Sequence, residues 1–284
     1  MLILIIFLIF DLKECLSLLE KARGDKPKRN IKIETIERNE IDKYIEEALK
    51  DTYGKEIEYF EKILTFFNLI EENESYVQKA KELYKEQAAA FYNPKDYSMK
   101  IIKDLDEDNL LVKSALVHEL MHAFQDEKIE IYKEMEKRRK NYDSLMALQS
   151  FLEGEAILIT FISMSDINLE SEEELEILKE NSLNLFENFE EFLPVEDNFL
   201  TYEMILPYKA GYKFVMHFFE KEKWGGVEKL YKNLPCAMEE IFHFDRKNSP
   251  PKDFSKLSKK IKIKDSLLLD SLTFGESFLY FIFS

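Results

Sequence analysis

Cysteine, histidine, glycine and proline are all scarce in this chain, and each scarcity excludes something. Two cysteines, Cys15 and Cys236, cannot build a disulfide framework, and neither belongs to a C-x-x-C pair that would hold zinc through sulfur. Both read as reduced thiols in a core. Seven glycines and seven prolines among 284 residues argue against a turn-rich β architecture and for long helices. Basic residues are outnumbered 40 to 56, giving a formal net charge of −16. No concentrated basic face for tracking phosphates is available, so nucleic acid is excluded as a partner. The short runs "KPKR" (26–29) and "KRRK" (137–140) read as solvated turn and helix-end charges. An acidic chain does favour cations, metal ions included.

What is present is apolar and aromatic. The chain is 45% hydrophobic, with 23 Phe and 14 Tyr, enough to bury a sizeable core. It begins "MLILIIFLIF", ten apolar residues, too few to span a bilayer of roughly 30 Å as a helix. No Lys or Arg precedes the run and no small residues follow it, as a secretory signal would require. The run is expected to be a buried segment of a cytoplasmic protein. Membrane association through residues 1–10 is the rival expectation.

Helical spacing dominates the rest. "DLKECLSLLEKARGD" predicts a helix ended by Gly24, and "NIKIETI" (30–36) alternates like a strand. Three helical segments follow between Ile41 and about Tyr92. Asn-Pro in "FYNPKDYSMKIIK" marks a turn, with "YSMKIIK" a short strand. One long helix is expected from about Asn109 to Arg139, its N-terminus capped by the preceding Asp residues, and a far more apolar one from Tyr142 to Ser163. The carboxylates of the acidic stretch 168–192 read as a solvated helix face. Residues 198–224 predict helix, Pro-Tyr break and helix, and Gly225-Gly226 opens a shorter one to about Asn233. "KKIKIK" (259–264) is a last strand candidate and 266–284 a final apolar helix. The expected fold is mainly α, α+β in class, with a small β-sheet. No linker divides it, so 1–284 reads as one unit, with a mainly helical part (1–90) before the metal-site part (91–284).

Half of the histidines sit in "SALVHELMHAFQDE" (114–127). Residues four apart share a helix face, so His118 and His122 can present imidazoles to a single point, as zinc requires. Glu119 is rotated about 100° from His118, towards a metal-bound water rather than the metal, where it can serve as general base. A third protein ligand is needed. The apolar helix "YDSLMALQSFLEGEAILITFISMS" carries Glu153 and Glu155, and an unpaired buried carboxylate costs several kcal/mol unless a cation compensates it. Two residues apart, the two glutamates cannot face the same ion, and helix geometry alone does not choose between them.

"HELMH" followed by "LEGEA" resembles the gluzincin class of zinc metallopeptidases, in which a glutamate on the next helix completes the metal site. A closer similarity is to a bacterial and archaeal gluzincin-like family. Its elements appear here in order as "AAFYNP" (89–94), "HELMHAFQDE", "FLEGEA" (151–156), "LPYKAGYKFV" (206–215), "KWGG" (223–226), "MEEIFHFD" (238–245) and "TFGES" (273–277). The chain departs from that pattern in having Ala before Phe91, Trp before the glycine pair, and "HFD" where the family has His-Pro.

The resemblance implies a zincin-like helical domain, one Zn²⁺ per chain held by His118, His122 and Glu153, and a peptide or protein substrate. Gluzincins commonly use a Tyr or His to stabilise the oxyanion, which points to Tyr208 and His243. The alternative is a non-catalytic zinc-binding or interaction protein that keeps the scaffold. Asp126, one turn past His122, is a candidate acceptor for a ligand imidazole, with Gln125 the weaker one. His217, in "FVMHFF", reads as a satisfied core histidine, and no role follows for Glu276.

Overall fold

Several helix ends in this chain fall where a side chain or a glycine satisfies the exposed backbone. The computed structural model describes residues 2–54, 57–87, 89–103, 109–192, 198–244 and 275–283. Helix α1 (Leu2–Arg23) stops at Gly24, which takes a left-handed φ of 80° and donates its N–H to Glu20 at 2.9 Å. Strand β1 (Lys32–Ile36) leads to α2 (Ile41–Tyr53), α3 (Ile57–Phe66) and α4 (Tyr76–Gln87). Strands β2 (Ala90–Asn93) and β3 (Ser98–Ile102) follow, then α5 (Leu110–Ile129) and α6 (Ile131–Arg138). Next come α7 (Tyr142–Met164), α8 (Glu172–Phe192), α9 (Asn198–Lys232), α10 (Met238–His243) and α11 (Glu276–Phe283). The protein is therefore mainly helical with a small sheet. The strand expected at 259–264 lies outside the described residues, as do 266–274 of the final helix and the side chains of the apolar N-terminal run.

Four local expectations are corrected. Asn109 caps α5, accepting from the Leu111 N–H at 2.9 Å. The long helix is two, because Glu130 turns left-handed (φ 52°) while the Asp126 carboxylate accepts the Ile131 N–H at 2.7 Å. "AFYN" is a strand rather than the approach to a turn. Pro207 does not end a helix: α9 continues through it, and the break falls at Glu222 and Lys223, whose backbones are non-helical. The stretch after Pro207 is buried at Ala210, Tyr212, Phe214 and Val215, and that packing outweighs one missing helix hydrogen bond.

The sheet runs β1-β3-β2, with β1 parallel and β2 antiparallel to β3. One face buries Tyr92 and Tyr97 with Ala123 of α5; the other packs Ile36 and Ile102 on Ile41 of α2. The β2 strand is an edge, lying over α5.

The core is α7 against α9. They run in the same direction, since Tyr142 meets Glu203 and Gly154 meets Gly211. A Cβ on Gly154 would lie 2.1 Å from the Gly211 carbonyl, and one on Gly211 would lie 1.8 Å from the Ser150 oxygen. Only glycine permits that approach. Near the start of α7, the buried Glu203 carboxylate accepts from the hydroxyls of Tyr53, Tyr76 and Tyr142, each at 2.6 Å. That three-way acceptor fastens α2 and α4 to the core. By length and apolarity α7 could cross a membrane, but most of it is buried inside the protein.

Gly211→Ala sets backbone against backbone, so the helices must separate. We expect a loss of about 3 kcal/mol in denaturant unfolding. Gly225→Ala, with nothing within 4 Å of the added carbon, is the near-neutral control. Equal effects of the two substitutions would show that the helix contact does not set the stability.

Candidate metal centre

The α5 helix buries Val117, Leu120, Met121 and Phe124, which leaves His118 and His122 facing α7. Both imidazoles converge on Glu153. The His118 and His122 Nε2 atoms are 3.1 Å apart, and they lie 3.0 and 3.5 Å from Glu153 Oε2. Three ligands of a tetrahedral zinc bonded at 2.0–2.1 Å stand about 3.3 Å from one another. The triangle therefore has the edge lengths that such an ion needs, and its donor set of two imidazoles and one carboxylate suits zinc.

The site is also open on one side. His118, His122 and Glu153 keep 12, 14 and 22% of their side-chain surface in solvent. A structural zinc site closes all four positions with protein, whereas a catalytic one leaves the fourth free.

Between the two glutamates of α7, the tertiary structure chooses. Glu153 faces the histidines. Glu155, fully buried, points to the opposite side, where it accepts from Arg23 Nε at 3.0 Å, from Gln125 Nε2 at 3.1 Å and from the Tyr231 hydroxyl. Its compensating charge is the guanidinium at the end of α1, so it needs no metal.

Glu119 also lies at the centre: one of its oxygens and the two ring nitrogens are all within 4.8 Å of one another. Its Oε2 accepts the Tyr92 backbone N–H at 2.6 Å, from the outward side of edge strand β2. Burial raises its pKa, while His122 and His118 pull it down. Burial likewise acts to raise the pKa of Glu153, but the two imidazoles outweigh it and hold the carboxyl well below its ordinary range.

Tyr208 reaches the site, its ring stacked on His118 with centroids 6.1 Å apart and planes 26° from parallel. His243 is not brought to it. It sits half-exposed at the end of α10, its Nε2 2.8 Å from Glu276 Oε1, and none of its described contacts is with the triad. That pairing joins two elements of the family resemblance, 238–245 and 273–277. His217 is half-buried at the rim of the core rather than within it, accepting from Lys221 Nζ at 2.8 Å.

Asp126 is not the acceptor for a ligand imidazole: it is taken by the Tyr92 hydroxyl at 2.7 Å and the Ile131 N–H. Gln125 holds that position instead, its Oε1 2.9 Å from His122 Nδ1. The spacing i+3 from His122 carried the signal, since it places Gln125 near the same face. Comparison of the chain with protein-family models, curated proteins and solved structures returns no match.

Burial alone would lower the His122 pKa, but the Glu153 carboxylate beside it raises it to about 9, from an ordinary 6.5. A folded-state pKa above the unfolded value stabilises the fold fully below pH 6.5, and that contribution disappears as pH rises through 9. In chelator-treated protein, the unfolding free energy should fall between those pH values and fall less in His122→Asn. A flat profile for the parent chain would show that the two groups are not coupled.

Proposed function

We propose that this chain is a zinc-dependent metallopeptidase of the gluzincin type, hydrolysing peptide bonds in a peptide or protein substrate. The observation that carries the reading is the triangle of His118, His122 and Glu153, mostly buried but reached by solvent, with a carboxylate poised beside it. Zinc bound there would supply Lewis acidity, lowering the pKa of a coordinated water towards about 7.

The chain's own residues divide the remaining work. Glu119, anchored by the Tyr92 N–H, keeps one oxygen occupied and the other available to take the attacking water's proton. The upward push that burial gives its pKa suits a group that must accept a proton and then deliver it to the departing amine. Tyr208 stands over His118, where its hydroxyl can donate to the oxyanion that forms on the substrate carbonyl. His243 pairs with Glu276, whereas Tyr208 is the candidate whose ring contacts a triad residue.

The experiment is metal content and turnover on the same preparations. Zinc should bind at one per chain and be lost in His118→Ala and Glu153→Ala. In Glu119→Gln it should be retained, while cleavage of a mixed peptide library falls by roughly two to four orders of magnitude. Zinc retained with no cleavage in the parent chain would sink the peptidase assignment and leave a non-catalytic zinc protein. No zinc in any preparation would sink both.

A further inference from the structure

Gln125 has no part in the chemistry just described, yet it is fully buried beside a ligand with its carboxamide fully engaged. We propose that Gln125 is a positioning residue that selects the tautomer of His122, and that the buried Arg23–Glu155 pair dictates which way round its carboxamide sits. The inference rests on the metal site above and adds the source of its order, which lies on α1, far away in sequence.

A carboxamide can present either end to an imidazole, and the two choices have opposite consequences. Presenting Nε2 would make His122 Nδ1 an acceptor and put the ring's hydrogen on Nε2, the atom that faces Glu153 and His118. Such a ring could not ligate through Nε2. Presenting Oε1 makes Nδ1 the donor and leaves the Nε2 lone pair free.

The surroundings of Gln125 allow only the second choice. Its Nε2 has two neighbours, the Leu152 carbonyl oxygen at 2.9 Å and Glu155 Oε2 at 3.1 Å. A carbonyl oxygen only accepts. Glu155 also only accepts, because Arg23 and the Tyr231 hydroxyl both donate to it. Turning the carboxamide over would set its oxygen against two acceptors inside the core, with their donors lost.

Arg23 is itself held in place. Its guanidinium lies 4.5 Å from the Trp224 ring centroid and 5.2 Å from that of Phe124, and its Nη2 bonds Glu228 at 2.6 Å. The order of donors and acceptors thus runs from Arg23 through Glu155 and Gln125 to His122.

The arrangement also explains why this acceptor is an amide. A carboxylate at position 125 would stand about as close to Glu155 as the amide nitrogen does now, with Glu119 and Glu153 already near. A neutral acceptor orients the imidazole without adding another charge to that crowd.

Two measurements test the proposal. The first is zinc affinity by chelator competition in Gln125→Met, with near-ultraviolet circular dichroism to confirm the native fold. Affinity should fall by roughly 10- to 100-fold, the range seen when an outer partner of a ligating histidine is removed. The second needs no metal. Long-range ¹H–¹⁵N spectra of the zinc-free parent chain, recorded at a pH where the ring nitrogen shifts themselves show His122 to be neutral, should show the hydrogen on Nδ1. The same spectra of Gln125→Met should show the Nε2–H form appearing. Unchanged affinity in a folded Gln125→Met, or an Nε2–H tautomer in the parent chain, would overturn the proposal. Absence of zinc binding by the parent chain would instead overturn the metal assignment, while the tautomer measurement still decides this one.

Discussion

A carboxylate on a helix that is otherwise wrapped in apolar side chains must meet positive charge or hydrogen-bond donors, and α7 carries two of them in its buried middle. Because Glu153 and Glu155 point to different sides, the helix needs two separate solutions. Arg23 at the end of α1 supplies one, and the imidazoles of α5 supply the other. The packing of α1 and α5 against α7 is therefore not exchangeable with some other apolar arrangement. A different neighbour on either side would leave a charge buried and alone.

The remaining parts of the site are held by contacts of other kinds. The glycine contact between α7 and α9 brings the α9 backbone against α7, and Tyr208 comes with it to His118. The edge strand β2 turns a backbone N–H outward to Glu119. Glu203, bonded to three tyrosine hydroxyls, secures the N-terminal helices to the same core.

Much of the helical content was legible because periodicity is a local property, and α2 to α4 and α7 fall where the spacing places them. The i, i+4 histidines and the adjacent glutamate were legible for the same reason. Errors arose where a distant contact overrides a local preference. Pro207 ought to break a helix, but packing beyond it prevails. "AFYN" becomes a strand because β3 is there to pair with it. Asp126 has the right spacing for His122 but is drawn away by Tyr92 and the start of α6, and Gln125 takes its place. In each case the deciding partner lies in another element of the fold.

Residue order alone sets the helical class and the placing of His118 and His122 on one face of α5 with Glu119 beside them, since these depend only on a rotation of 100° per residue. It also set the requirement that each buried glutamate of α7 find a partner. Which glutamate meets the histidines, which meets Arg23, and which side chain lies against His122 Nδ1 follow only from the packing. Those choices depend on how α1, α5 and α7 pack together, and the cost of a buried unpaired charge is what selects among the packings.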